Sequence, residues 1–224
     1  MSGSLAVFSP VPLTHEVRAT VTSQGGNVRY IAAPDMEHHL NVTTWKHAYP
    51  DAEIIAPEGL WEKRQKATNG NEPVFHHVFT RNDPHKSISP EFDSEFSTEY
   101  VYGHGSRELV FLHKASKTLI EADLLFNLPA AEQYSKVSAE ERKKGILDRL
   151  FASPMSTSSI WQRWFAWYVL AIADRKAFAR SMHTIDQWDF DRLIPCHGDV
   201  IETGAKGAFE DVMTWFLEDE LKSR

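Results

Sequence analysis

The feature that most constrains the fold is a strand–helix–strand unit in the first part of the chain. Asn27–Ala33 (NVRYIAA) has the continuous apolar character of a buried strand, Leu40–Tyr49 has a helical pattern, and Ala52–Ala56 (AEIIA) predicts a second strand. Two strands that are joined by a helix pair in parallel, because a tight turn cannot make this crossover. This region therefore predicts an α/β fold with a parallel sheet.

A second group of strands follows, and helices come after it. Phe92–Tyr102 alternates aromatic and acidic residues as a half-buried strand does, while Glu108–His113 and Thr118–Ala122 predict a hairpin. Residues 130–188 predict several helices, the first of them opened by a capping box at Ser138–Glu141. We interpret residues 130–188 as a helical insertion before the C-terminal strand, within a single domain of 224 residues.

The composition excludes several classes of protein. Lys and Arg number 24 against 31 Asp and Glu, and the net charge of −7 argues against a nucleic-acid or anionic-membrane binder. The single cysteine, Cys196, excludes a disulfide framework; as a nucleophile beside His197 it is a weak candidate. We see neither a signal peptide nor a bilayer-spanning stretch, so we expect a cytoplasmic protein without nucleic-acid or membrane partners.

Candidate metal ligands follow three predicted strands in this chain of 11 histidines. Ligand sites in open α/β sheets lie outside the C-terminal ends of the strands, so these loops can converge. Imidazoles with a carboxylate suit zinc, iron or manganese, and such an ion lowers the pKa of water toward neutrality. Each residue alone also has a structural interpretation, as a helix start, a turn cap or a backbone contact. The candidates are His38, His39, Asp123, His197 and, in a Gly-flanked turn, His104.

The order of these loops resembles the metallo-β-lactamase superfamily. The signature of that superfamily is a His-x-His-x-Asp-His loop after a strand, a distant histidine, an aspartate after a hairpin and a late histidine. Pro34–His39, His104, Asp123 and His197 stand in that order here. The segments VRYIAAPDMEHHLNVTTW, YPDAEIIAPEGL, ELVFLHKASKTLIEADLLFNLP and LIPCHGDVI resemble more closely an uncharacterised branch, known as a domain of unknown function. The resemblance implies an αββα sandwich of two mixed sheets with helices outside.

The signature loop is degenerate in this chain. Pro34 and Met36 stand where the first two histidines belong, and His38 stands at the aspartate, so that only His39 matches. A shift of one residue, which makes His38 the counterpart of the last histidine, is an alternative. The resemblance implies that the first metal site keeps only His104. The second site can keep its ligands, which are His38, His39, Asp123 and His197.

These matches imply a mononuclear metal-dependent hydrolase. The metal would be one zinc ion, with iron or manganese as alternatives, and Asp123 would be both a ligand and the catalytic proton acceptor. The resemblance to the superfamily also implies a small-molecule substrate, namely an ester, thioester or lactone of a small apolar molecule. Two alternatives stay open: a non-catalytic protein of this fold that binds a small ligand or a partner protein, and an oxygen-using iron enzyme.

An aromatic stripe marks the predicted helix at Ile160–Ile172. Trp161, Trp164, Phe165 and Tyr168 are spaced as neighbours on one helix face. We predict that this stripe is not exposed in the working form of the protein. It would pack into the core, or it would cover the active site or a second copy of the chain in a homodimer.

Overall fold

Two four-stranded sheets form the centre of the computed structural model, which describes residues 3–25, 27–132, 134–138 and 155–219. The strands of the first sheet are all parallel and lie in the order β1 (Ser4–Phe8), β2 (Asn27–Ala32), β3 (Glu53–Pro57) and β4 (His77–Phe79). The second sheet is mixed, in the order β5 (Phe96–Val101), β6 (Glu108–His113), β7 (Thr118–Ile120) and β8 (Arg192–Ile194). Its β5–β6 and β6–β7 pairs are antiparallel and β7–β8 is parallel. The predicted parallel unit and the predicted hairpin are confirmed.

Helices flank both sheets. The described helices are α1 (His15–Ser23), α2 (Val42–Ala48), α3 (Leu60–Ala67), α4 (Pro90–Glu95), α5 (Ile160–Tyr168), α6 (Arg175–Asp186) and α7 (Ala205–Asp219), with a 3₁₀ turn at Leu170–Ile172. Four of them begin at residues whose side chains accept a backbone N–H of the first turn, as helix caps do: Thr14, Ser89, Ser159 and Asp174. Within the described residues, no helix has both the length and the apolar character needed to cross a membrane.

Side chains alternate between two cores along the central strands. Tyr30 and Ala32 of β2 pack into the core between the sheets, whereas Ile31 packs into the core that α1 and α2 share with the first sheet. In the same way Phe111 of β6 faces the first sheet, and Leu112 faces α5, α6 and α7. The layers are therefore helix, sheet, sheet and helix, which confirms the αββα sandwich.

One strand prediction is wrong over its first residues. Phe92–Tyr102 does not begin as a strand, because Pro90–Glu95 forms α4 and β5 starts only at Phe96. The side chain of Ser89 accepts the backbone N–H of Phe92, and Pro90 stands in the first turn, where its missing N–H costs nothing. The helix predicted from the capping box at Ser138–Glu141 lies almost entirely outside the described residues.

The aromatic stripe of α5 is largely exposed, which differs from the prediction that it packs into the core. Trp161, Trp164 and Tyr168 are 64%, 44% and 56% exposed, so packing of the stripe into the core is wrong for these side chains. Gln162 is fully buried instead. Its amide accepts the backbone N–H of Phe126 at 2.6 Å and donates to the Phe126 carbonyl at 2.9 Å. This pair of hydrogen bonds fixes the rotation of α5 and leaves the stripe outside.

Candidate metal centre

The loop that follows β2 is organised by a buried aspartate. Asp35 is fully buried, and its Oδ1 accepts the backbone N–H groups of Glu37 at 2.8 Å and His38 at 2.6 Å. Its Oδ2 lies 3.0 Å from Nδ1 of the His38 ring. Burial raises the pKa of Asp35, but the hydrogen bonds from His38 outweigh it and hold that pKa below its ordinary value. The same bond raises the pKa of His38. Asp35 thus holds both the loop and the ring.

Asp123 and His197 reach the same place from the second sheet. β7 and β8 are parallel neighbours, with Ile120 paired to Ile194, and Asp123 and His197 follow shortly after these strand ends. Loops at the C-terminal ends of parallel strands lie side by side, as the sequence predicts. Nε2 of His197 lies 3.1 Å from Oδ1 of Asp123.

His38, Asp123 and His197 form a cluster that we call the His–Asp–His group. Their possible ligand atoms all lie within 4.8 Å of one another, and no other cluster of this kind occurs in the described parts of the chain. Nε2 of His38 lies 3.2 Å from Nε2 of His197. Two nitrogen ligands of a tetrahedral zinc ion lie about 3.3 Å apart, since each Zn–N bond is about 2.0–2.1 Å. The spacing of these donors therefore fits a metal ion, and two imidazoles with a carboxylate suit zinc, iron or manganese.

His39, a predicted ligand, lies outside this group. Its Nδ1 is 2.7 Å from a guanidinium nitrogen of Arg64, and burial together with that charge lowers the pKa of His39. Arg64 in turn pairs with Glu72 at 2.9 Å, so His39 belongs to a buried network of the first layer. The alternative register, in which His38 is the counterpart of the last signature histidine, agrees with this placement.

His104, the other predicted ligand, also lies outside the group. The ring is 2% exposed, and its Nδ1 accepts the backbone N–H of Ser106 at 3.1 Å. Burial lowers the pKa of His104 to about 4, so the ring is neutral near pH 7. Its buried Nε2 has no hydrogen-bond partner among the described residues, and Oε2 of Glu108 is 3.9 Å away.

Two buried glutamates, which the sequence reasoning missed, hold the Asp123 loop from inside. Glu108 accepts the backbone N–H groups of Ala122 at 2.8 Å and Asp123 at 3.0 Å. Glu121 accepts the backbone N–H of Leu124 at 2.8 Å. Burial raises the pKa of both glutamates well above its ordinary value. The signal that could have found them is an acidic residue at the end of an otherwise apolar strand run.

An aromatic ring and a glycine shape the His197 loop. The ring of Phe126 stacks on that of His197 with centroids 5.4 Å apart and an interplanar angle of 12°. Gly198 has a φ of +115°, and a Cβ there would lie 2.2 Å from the carbonyl oxygen of Asn127. Only glycine allows this approach, which pairs the His197 loop with Asn127.

Cys196 does not have the properties of a nucleophile. Its thiol lies 3.1 Å from the hydroxyl of Ser9 and donates to it. Burial raises the pKa of the thiol to about 12, so the reactive thiolate is scarce near neutral pH.

Comparisons with known proteins agree with this architecture. A family model described as a domain of unknown function, DUF4336, matches residues 1–163. No curated protein matches the chain significantly.

Several solved structures have the same fold. A metallo-β-lactamase from Pontibacter korlensis shares 10% identity at a TM-score of 0.54, over 96% of this chain and 82% of that one. The metallo-β-lactamase-fold protein TMB-1 shares 14% identity at a TM-score of 0.52, over 100% and 84% of the two chains. A flavodiiron protein from Giardia intestinalis shares 11% identity at a TM-score of 0.53, over 95% of this chain but 48% of its own. At such identities these likenesses show the fold alone.

Proposed function

The chain belongs to the DUF4336 family of domains of unknown function, and from its metallo-β-lactamase fold and its His–Asp–His group we propose that it is a metal-dependent hydrolase. The observation that carries the proposal is the set of three converging donors. Three protein ligands leave one position of a tetrahedral ion open, which distinguishes catalytic from structural zinc sites. We propose one ion per chain, because His39 and His104 lie outside the group.

The chain's own residues have separate tasks in this proposal. When bound, a divalent metal ion polarises the carbonyl group of an ester and makes water a stronger acid. His38 and His197 would offer their Nε2 atoms, which lie 3.2 Å apart, and Asp123 would offer one carboxylate oxygen. Zinc suits this set of donors, as do iron and manganese.

We also propose that Asp123 accepts a proton. Its Oδ1 lies 3.1 Å from His197, whereas its Oδ2 lies 3.8 Å from Nδ1 of His38, which already faces Asp35. The Asp123 side chain is 19% exposed and the His197 side chain 46% exposed, so substrate and water can reach both. One oxygen of Asp123 can thus serve as a ligand while the other takes a proton from the attacking water.

The substrate class that we propose is an ester, thioester or lactone of a small apolar molecule. Phe126 stacks on His197 and contacts Phe165 of α5, with those two ring centroids 5.7 Å apart. Trp161 and Tyr168 are exposed and stand four residues before and three residues after Phe165, so helix geometry puts them on the same side of α5. The apolar part of a substrate could lie on these rings beside the ligands, since small-molecule sites are lined mainly by apolar and aromatic groups.

Metal content tests the site. After removal of metal, reloading with zinc and dialysis, we expect about one zinc ion per chain by elemental analysis. Asp123→Ala and His197→Ala should each lose the ion while keeping the melting temperature within a few degrees, because the β7 and β8 strands set the backbone there. Each substitution should lower zinc affinity by more than the roughly 10- to 100-fold that is lost when a hydrogen-bond partner of a ligand is removed.

The matched control is His15→Ala, an exposed histidine of α1, which should keep its zinc. A ratio of two ions per chain, or unchanged zinc in both ligand variants, would contradict the proposed site.

Ester hydrolysis tests the reaction. The zinc-loaded protein should hydrolyse p-nitrophenyl esters, and Phe126→Ala should lower kcat/KM more for a decanoate than for an acetate ester. A protein that binds one zinc ion but hydrolyses none of these esters or their thioester and lactone analogues would point instead to the non-catalytic alternative.

A second candidate is an oxygen-using iron enzyme. Two histidines and one carboxylate also form the ligand set of non-haem iron oxygenases. Dioxygen uptake by the iron-loaded protein, in the absence of esterase activity in the zinc-loaded one, would favour this candidate.

A further inference from the structure

A carboxylate without a role in the proposed reaction lies behind His38. Asp35 is fully buried, and the two oxygens of its side chain do different things. Oδ1 accepts the backbone N–H groups of Glu37 and His38, and this alone would close the turn. Oδ2 is left over from that turn and lies 3.0 Å from Nδ1 of the His38 ring. The second contact therefore needs a separate explanation.

The contact decides which ring nitrogen of His38 is available. A neutral imidazole carries one N–H and one lone pair, and a carboxylate can only accept a hydrogen bond. Asp35 therefore favours the proton on Nδ1, which leaves the lone pair on Nε2. That Nε2 is the atom that lies 3.2 Å from Nε2 of His197.

The neighbouring histidine shows the opposite arrangement. Nδ1 of His39 lies 2.7 Å from a guanidinium nitrogen of Arg64, which can only donate, so this Nδ1 is the acceptor. Two adjacent histidines thus have opposite partners for the same ring atom. Only the His38 partner leaves Nε2 open as a ligand toward the His–Asp–His group.

We propose that Asp35 is a positioning residue that keeps His38 in the Nδ1–H tautomer and so presents Nε2 to a metal ion. The metal-binding part of this inference rests on the proposed function, whereas the tautomer does not. Partners that fix the tautomer of a ligand histidine are worth roughly 10- to 100-fold in metal affinity.

The informative variant is Asp35→Asn. Asparagine keeps an oxygen for the backbone N–H groups, but its NH₂ faces Nδ1 as a donor and therefore favours the opposite Nε2–H tautomer. In metal-free protein at alkaline pH, long-range ¹H–¹⁵N spectra should show the Nδ1–H form of His38 in the wild type and the Nε2–H form in Asp35→Asn. Zinc affinity should fall roughly 10- to 100-fold in the variant. Glu37→Gln is the control, because Glu37 is the exposed neighbour in the same loop and should change neither readout.

The two readouts separate this inference from the proposed function. An Nε2–H form of His38 in the wild type overturns the role of Asp35, even where Asp35→Asn fails to fold. Equal zinc affinity in folded Asp35→Asn overturns it too, and leaves the metal site standing. A wild type that binds no zinc but shows the Nδ1–H form, inverted in Asp35→Asn, refutes the proposed function and supports the tautomer assignment.

Discussion

The two layers that meet at the candidate site bury their carboxyl groups in different ways. In the layer of the first sheet, Glu72 is paired with Arg64 through both carboxylate oxygens, at 2.9 and 3.0 Å. The pairing outweighs burial and lowers the pKa of Glu72, as the bond to His38 does for Asp35. These groups stay ionised because a hydrogen-bonded cation or imidazole lies beside them.

In the layer of the second sheet, burial shifts the pKa values of three carboxyl groups upward instead. Glu108 and Glu121 take hydrogen bonds from backbone N–H groups, and burial raises the pKa of each well above its ordinary value. Burial likewise raises the pKa of Glu99 in β5 to about 7. Burial opposes ionisation in both layers, and a cation or imidazole partner outweighs it for Glu72 and Asp35 but not for Glu99, Glu108 and Glu121. We therefore expect the stability of the first layer to depend on its ion pair, and the stability of the second layer to depend on pH.

Breaking the ion pair should have the largest effect on stability. Arg64→Met leaves Glu72, whose side chain is 1% exposed, without its cation, and we expect a loss of about 3–5 kcal/mol in the free energy of unfolding by urea at pH 7. The double variant Arg64→Met, Glu72→Met removes both charges and should recover most of that loss. A loss below about 1 kcal/mol, the range of exposed pairs, would contradict the comparison.

Removing a buried carboxyl whose pKa is raised should have an intermediate effect that depends on pH. The pKa of Glu99 is about 7 in the folded protein against 4.5 for the free side chain, so its stabilising contribution is complete below pH 4.5 and is lost as the pH rises through 7. Gln at this position does not titrate. Above pH 7 the free energy of unfolding of Glu99→Gln should therefore exceed that of the wild type by roughly 2–4 kcal/mol.

Unfolding free energies measured from pH 4 to 9 check this crossover. The control is Asp211→Asn, at a side chain that is 67% exposed, and its pH profile should follow the wild type. Parallel profiles for Glu99→Gln and the wild type would show that Glu99 is ionised and paired, as in the first layer.

The smallest effect should come from the outer surface of the second layer. Trp161 is 64% exposed, so Trp161→Ser should change the free energy of unfolding of a single chain by less than about 0.5 kcal/mol. If a homodimer covers the stripe, which is one of the alternatives that its aromatic character leaves open, the cost would be larger and would grow with protein concentration. Sedimentation of both proteins at micromolar concentration separates these cases.

Much of the fold could be predicted because its signals are local. Apolar runs marked β2 and β3, and the crossover between them required parallel pairing. Helix starts are also local, since the Asp174 side chain that begins α6 accepts the backbone N–H of Ala177, three residues on. The convergence of Asp123 with His197 followed from their places after neighbouring strand ends, since a sheet brings its strand ends to one edge.

What only the tertiary structure decided is which side chain faces where in the loops and on α5. A loop has no periodicity, so sequence spacing could not choose between His38 and His39; the choice depends on Asp35 for one and on Arg64 of α3 for the other. The sequence also could not show that Gln162 points inward, because its hydrogen-bond partner is the backbone of Phe126, which is distant in the sequence. A sequence pattern indicates which residues can be buried. Which of them are buried depends on the hydrogen-bond partners that distant segments of the chain provide.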